Sequence, residues 1–250
     1  MDAPFRGSPA ARWSDGAAGI HIPAARATGW MNRDQVAQAL ARSRDFLVAS
    51  GLDTGVLRGE RPAKAIALIN PHQEDVQDYL ATAFRTPSRK NDPRLLFSRF
   101  EKSKASLVGH VVKTRGRLTF REGERGAVEV TADVTYVYPV VRADTSGEGG
   151  EGGGSGEDIV RTIVRRETVM SWDDPAKVRT EPGTFSLVSY GADITNGGCG
   201  GTYTGYFTPP FGADGAAPGG TEVDPYDRSK AMDARTGEND PPGCRTATRS

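Results

Sequence analysis

From Val128 onward the chain places Val128, Val130, Ala132, Val134, Tyr136 and Tyr138 at every second position. Side chains in a strand point alternately to opposite faces, so this run specifies a strand with one buried face. Leu118 and Phe120 alternate in the same way on the near side of a Glu-Gly-Glu-Arg-Gly turn, Glu122 to Gly126. Two alternating runs joined by a short Gly-containing loop predict a β-hairpin.

The hairpin fixes how its neighbours are read. Residues 144–158 follow it and contain no large apolar side chain. Such a run predicts a flexible Gly-rich loop, here the tip of a long hairpin. A third strand is expected over Ile159–Trp172, with a bulge near Arg165-Arg166 where the apolar alternation slips. Pro182-Gly183 makes a turn, and Thr184–Ile194 reads as the last strand. Upstream, Asn32 is an N-cap with Gln35 three residues on, the pattern of a capping box. Val36, Leu40, Ser43 and Leu47 follow as one stripe of an amphipathic helix, and Gly51 suits its C′ position. Pro62 opens a short apolar helix. Val76, Tyr79, Leu80, Ala83 and Phe84 form the face of a third, which Pro87 stops.

Three helices before about four antiparallel strands predict an α+β domain with the helices packed on one face of a curved sheet. That element order is similar to the NTF2-like fold, with the cystatin-like fold as second choice. The expected organisation is an extended N-terminal arm over 1–28, a single α+β domain over 29–207, and a Pro/Gly-rich tail over 208–250 that lacks the apolar surface to offset its ordering entropy. Within the tail, Val223-Asp224-Pro225-Tyr226 reads as a short docking point.

Charge narrows the partners. The 32 basic residues balance the 32 acidic ones, whereas a general nucleic-acid binder carries net positive charge. One stretch is locally basic: Arg85, Arg89, Lys90, Arg94, Arg99, Lys102 and Lys104. It reads as a solvated surface or, more sharply, as a contact for an anionic membrane surface or a polyanionic wall polymer. No stretch approaches 18 consecutive apolar residues, and the first residues lack the apolar core of a secretory signal.

Motifs for chemistry are sparse. Gly147 to Gly152 matches G-x-G-x-x-G in form, but no helix opens after it to hold a pyrophosphate, so no nucleotide cofactor is expected. The spacing around Ser155 is not that of a nucleophile elbow. His21, His72 and His110 are dispersed, and no Cys or His pair has zinc spacing. His110, on the first sheet strand, is the histidine with a route to a pocket; Asp133 and Glu167 lie within strands. A His and a carboxylate on a sheet's inner surface would suit an isomerase, hydratase or hydrolase. The plainer reading is an exposed strand carboxylate beside a surface histidine. Tyr203, Tyr206, Phe207 and Phe211 form an aromatic segment that either packs as a lid over the sheet, the favoured reading, or offers a contact surface. Cys199 and Cys244 are either a disulfide, if the chain meets an oxidising compartment, or two loop thiols.

Several short motifs together carry a resemblance. They are Trp13-x-Asp15-Gly16, Gly19-Ile20 and Pro23; Thr28-Gly29-Trp30; Arg44-Asp45-Phe46-Leu47; Val56-Leu57-Arg58-Gly59; Arg117-Leu118-Thr119; Tyr136 to Pro139; Asp193-Ile194 to Cys199-Gly200; and Asp224 to Ser229. Over roughly residues 12–230 the chain resembles uncharacterised membrane-anchored or secreted proteins of Streptomyces-type actinobacteria. The resemblance implies an extracytoplasmic domain and favours the Cys199–Cys244 bridge. It carries no assigned chemistry. The expectation is a non-enzymatic binding or assembly module at the cell envelope, with an unknown protein or envelope component as partner. The alternative is the pocket enzyme built on His110, Asp133 and Glu167.

Overall fold

A computed structural model describes residues 4–143, 159–198, 203–211, 221–232 and 245–248. The capping box forms as read. The Asn32 side chain accepts from the Gln35 amide at 3.0 Å, and the Gln35 side chain accepts from the Asn32 amide at 2.9 Å. Helix α1 (Arg33–Gly51) buries the whole predicted stripe. Gly51 is the last helical residue and takes no positive φ. Glycine is needed there for closeness: a Cβ would meet the Tyr136 ring at 2.9 Å. Single turns α2 (Thr54–Leu57) and α3 (Ala63–Ile66) follow, then α4 (Glu74–Arg85).

The strands are β1 (Ser14–Asp15), β2 (Ile20–His21), β3 (Ala105–Leu107), β4 (Lys113–Glu122), β5 (Val128–Arg142), β6 (Val160–Trp172), β7 (Ser186–Thr195), β8 (Thr221–Val223) and β9 (Arg245–Ala247). They make one nine-stranded sheet in the order β1-β4-β5-β6-β7-β9-β8, with β2 also on β4 and β3 also on β5. The sheet is mixed: β2 runs parallel to β4, and β9 runs parallel to β7 and to β8. This overturns the expected α+β arrangement of helices on a curved antiparallel sheet of about four strands, NTF2-like or cystatin-like. Only the meander β4-β5-β6-β7 was visible as alternation. The other five strands have two or three residues each, too few to show a period of two.

Pairing of β5 with β6 is unbroken from Val128↔Trp172 to Val140↔Val160, so no bulge sits at Arg165-Arg166 in that ladder. Arg166 simply occupies an inward position. Its guanidinium donates to the carbonyls of Arg94 at 2.8 Å and Leu95 at 3.2 Å and to Ser98 Oγ at 2.8 Å. Among the described residues, the one register shift lies between β6 and β7, at Val169/Met170.

The predicted row from Val128 to Tyr138 is buried throughout and faces the helices. Tyr136 and Tyr138 stack with ring centroids 6.0 Å apart and bind the end of α1, through Leu47 O at 3.2 Å and Gly51 O at 2.9 Å. Burial raises both phenols, Tyr138 to about 12, so they remain neutral donors. Phe207 adds to this core, packed on Phe100 at 5.3 Å. The opposite face carries a smaller cluster of Phe5, Ala10, Val137 and Ile163. Trp13 meets Tyr226 edge-on there at 5.5 Å, and Tyr226 shares a 2.7 Å hydrogen bond with Ser8.

Candidate functional site

At one end of the helix-covered face the chain leaves a cleft of about 670 Å³. Four segments build it. The N-terminal segment crosses first, tied down by Gly16 N donating to Val112 O at 2.8 Å. Gly16 makes that crossing in the left-handed region, φ +48°. The end of α1 brings Val48 and Leu52. Asp53 caps α2, accepting from the amides of Gly55 at 2.9 Å and Val56 at 3.3 Å, and so aims Leu57 into the cleft floor and Arg58 at its rim. Residues 105–112 close the far wall with Leu107 and Val112.

The floor is apolar and the rim is cationic. Arg58 and Lys102 are exposed, and among the described residues neither side chain has a hydrogen-bond or ion-pair partner. Other cations at this end are engaged. Lys113 pairs with Asp15 at 2.6 Å, Lys104 with Glu101 at 2.8 Å and Lys64 with Asp53 at 3.0 Å; Arg44 donates to Ala17 O at 2.6 Å. Asp15 is the one carboxylate among the described lining residues, and Lys113 already neutralises it.

His110 lies at the mouth of this cleft, exposed, in the loop between β3 and β4. Asp133 and Glu167 do not join it. They face each other in register across β5 and β6, on the sheet face turned away from the helices. Asp133 is engaged by two guanidiniums. Arg165 binds both its oxygens at 2.9 Å, and Arg228 reaches Oδ2 at 2.6 Å. Burial alone would raise the Asp133 pKa. The hydrogen bond from Arg165 and the charges of Arg228 and Arg165 outweigh it, and the carboxyl sits below its ordinary range. Next to this group Arg245 pairs with Asp193 at 2.9 Å. The cluster therefore holds the segment around Arg228 against the sheet face and fastens β9 beside β7.

The basic stretch is not one surface. Arg94 is buried in a pair with Asp92 at 2.7 Å. Arg99 is buried over the Tyr206 ring at 4.3 Å and donates to Gly59 O at 2.6 Å. Arg85, Arg89, Lys90, Lys102 and Lys104 are exposed. Cys199, Cys244 and the loop 144–158 lie outside the described residues. Among the described residues, no group of three or more His, Cys, Asp or Glu could hold a metal ion, and no helix is long and apolar enough to cross a membrane.

Arg58 escaped the sequence reading as a site residue. It stands in a connector with no periodicity, and the cleft unites segments far apart in the chain. A lone arginine after a capped turn gives no local signal. Comparison with family models, with curated proteins and with solved structures returned no match.

Proposed function

We propose that this protein is a non-enzymatic binding module with its ligand site in the cleft between α1, α2 and the β3–β4 segment. The carrying observation is the pairing of an apolar floor, Val48, Leu52, Leu57, Leu107 and Val112, with a polar rim in a concavity of ligand size. The competing His–carboxylate enzyme needs His110 and Asp133 or Glu167 in one pocket. Asp133 is instead consumed by Arg165 and Arg228 on the other face, which counts against that reading. The setting proposed is the outer side of the cell envelope, on the strength of the sequence resemblance.

Amide NMR of the full chain titrated with 1-octanol tests the site. Shifts confined to residues 48–58 and 105–112 are expected, and their absence with both 1-octanol and its anionic analogue octanoate would overturn the reading. Protection of the protein from a membrane-impermeant protease in intact host cells would overturn the location.

A further inference from the structure

We infer that the ligand of this cleft is an amphipathic anion: an apolar chain or ring on the floor and a carboxylate or phosphate between Arg58 and Lys102. The inference rests on the binding-module reading and adds the chemistry of the ligand to it.

Three observations carry it. First, Arg58 and Lys102 each line two adjoining clefts, the 670 Å³ one and a smaller one of about 480 Å³ beside Tyr206. They therefore stand together where the two meet. Second, cations outnumber the acids left free to meet them. Glu101 binds Lys104 and accepts from Ser103 at 3.1 Å, and Asp15 binds Lys113, which leaves Glu60 of the smaller cleft as the one acid to set against Arg58 and Lys102. The divide keeps a net positive charge among the described residues. Third, the surface beneath is apolar, with Leu57 and Val112 almost fully buried and Val111 half-exposed at the lip. A neutral apolar guest would use the floor and leave the two cations idle. A small hydrophilic anion would meet the cations and leave the floor wet. An amphiphile with one anionic head satisfies both, and the guanidinium fork can bind the oxygens of either a carboxylate or a phosphate.

The test is a calorimetric and NMR titration of the full chain with four probes: octanoate, octyl phosphate, 1-octanol and inorganic phosphate. The comparison protein carries Arg58→Gln and Lys102→Gln. Both side chains are exposed, so the variant keeps the fold, and its unchanged amide spectrum outside the cleft checks that. At least one octyl anion is expected to bind tenfold or more tighter than 1-octanol. In the double variant that advantage disappears while 1-octanol binding is unchanged. Whichever of octanoate and octyl phosphate binds more tightly identifies the head group. Equal binding of 1-octanol and both anions would overturn the inference and leave the binding-module reading standing. Inorganic phosphate binding as tightly as octyl phosphate would overturn the amphiphile. A cleft whose amides respond to none of the probes would overturn both readings.

Discussion

The two faces of the sheet are closed by different physics. The helix-covered face is closed by aromatic packing: Phe185 lies between Phe46 and Trp172, at centroid distances of 5.2 and 5.7 Å, and is fully buried. The other face is closed by a small apolar cluster and by ion pairs, with Asp133 and Asp193 on the strands holding Arg228 and Arg245 from the end of the chain. Apolar closure scales with area removed from water and tolerates imprecision. Closure by buried charge depends on every partner being in place, since removing one leaves the other desolvated and alone. One face is therefore robust and built from the middle of the sequence. The other is conditional and built from its ends.

The largest effect should come from the robust side. Phe185→Ala removes a ring from the centre of the helix-covered core and should cost about 3–5 kcal/mol in urea unfolding. Asp133→Ala should cost less, roughly 2 kcal/mol, because Asp133 remains partly exposed. It should also open residues 221–232 to limited proteolysis while the inner core stays folded. A loss as large as that of Phe185→Ala would erase the distinction between the faces.

The Asp133 effect has a pH signature. Its folded-state pKa is depressed, so its contribution is complete above the unfolded value of about 3.9 and is lost as pH falls through the lower folded value. The stability gap between wild type and Asp133→Ala should therefore be full at pH 7 and narrow below about pH 4. A gap that stays constant to pH 3 would show that the carboxylate charge plays no part. The smallest change expected is Tyr138→Phe, which loses hydrogen bonds to Gly51 O and Ser98 Oγ but no packing area, at about 1 kcal/mol.

What the sequence made legible follows the same division. The capping box at Asn32, the stripe on α1 and the row from Val128 to Tyr138 are local patterns, and each forms as read. The outer closure is non-local: β1, β2, β8 and β9 are pairs or triplets of residues with no period to detect. Arg166 shows a second limit. Alternation of apolar residues does not report facing at this position, because the guanidinium points inward and is satisfied by carbonyls that only the fold brings near. At the site, His110 was singled out and does line the cleft. Lys102 was noticed as part of a basic run. Arg58 carries no local signal as a site residue, because its meaning lies in the balance of charge around it, and that depends on Glu101 turning to Lys104.

The parallel pairing of β9 with β7 also sets an order in time. Thr195 of β7 pairs with Arg245, near the end of the chain. At about 5–20 residues per second, a ribosome delivers β9 roughly 3–10 seconds after β7. During that interval the long strands and their helices are already present, and the outer face waits with Asp193 lacking Arg245. A nascent chain of this protein thus passes through a half-clad stage, and whatever handles it as it emerges meets a charged sheet face covered only by the N-terminal segment before it meets the finished molecule.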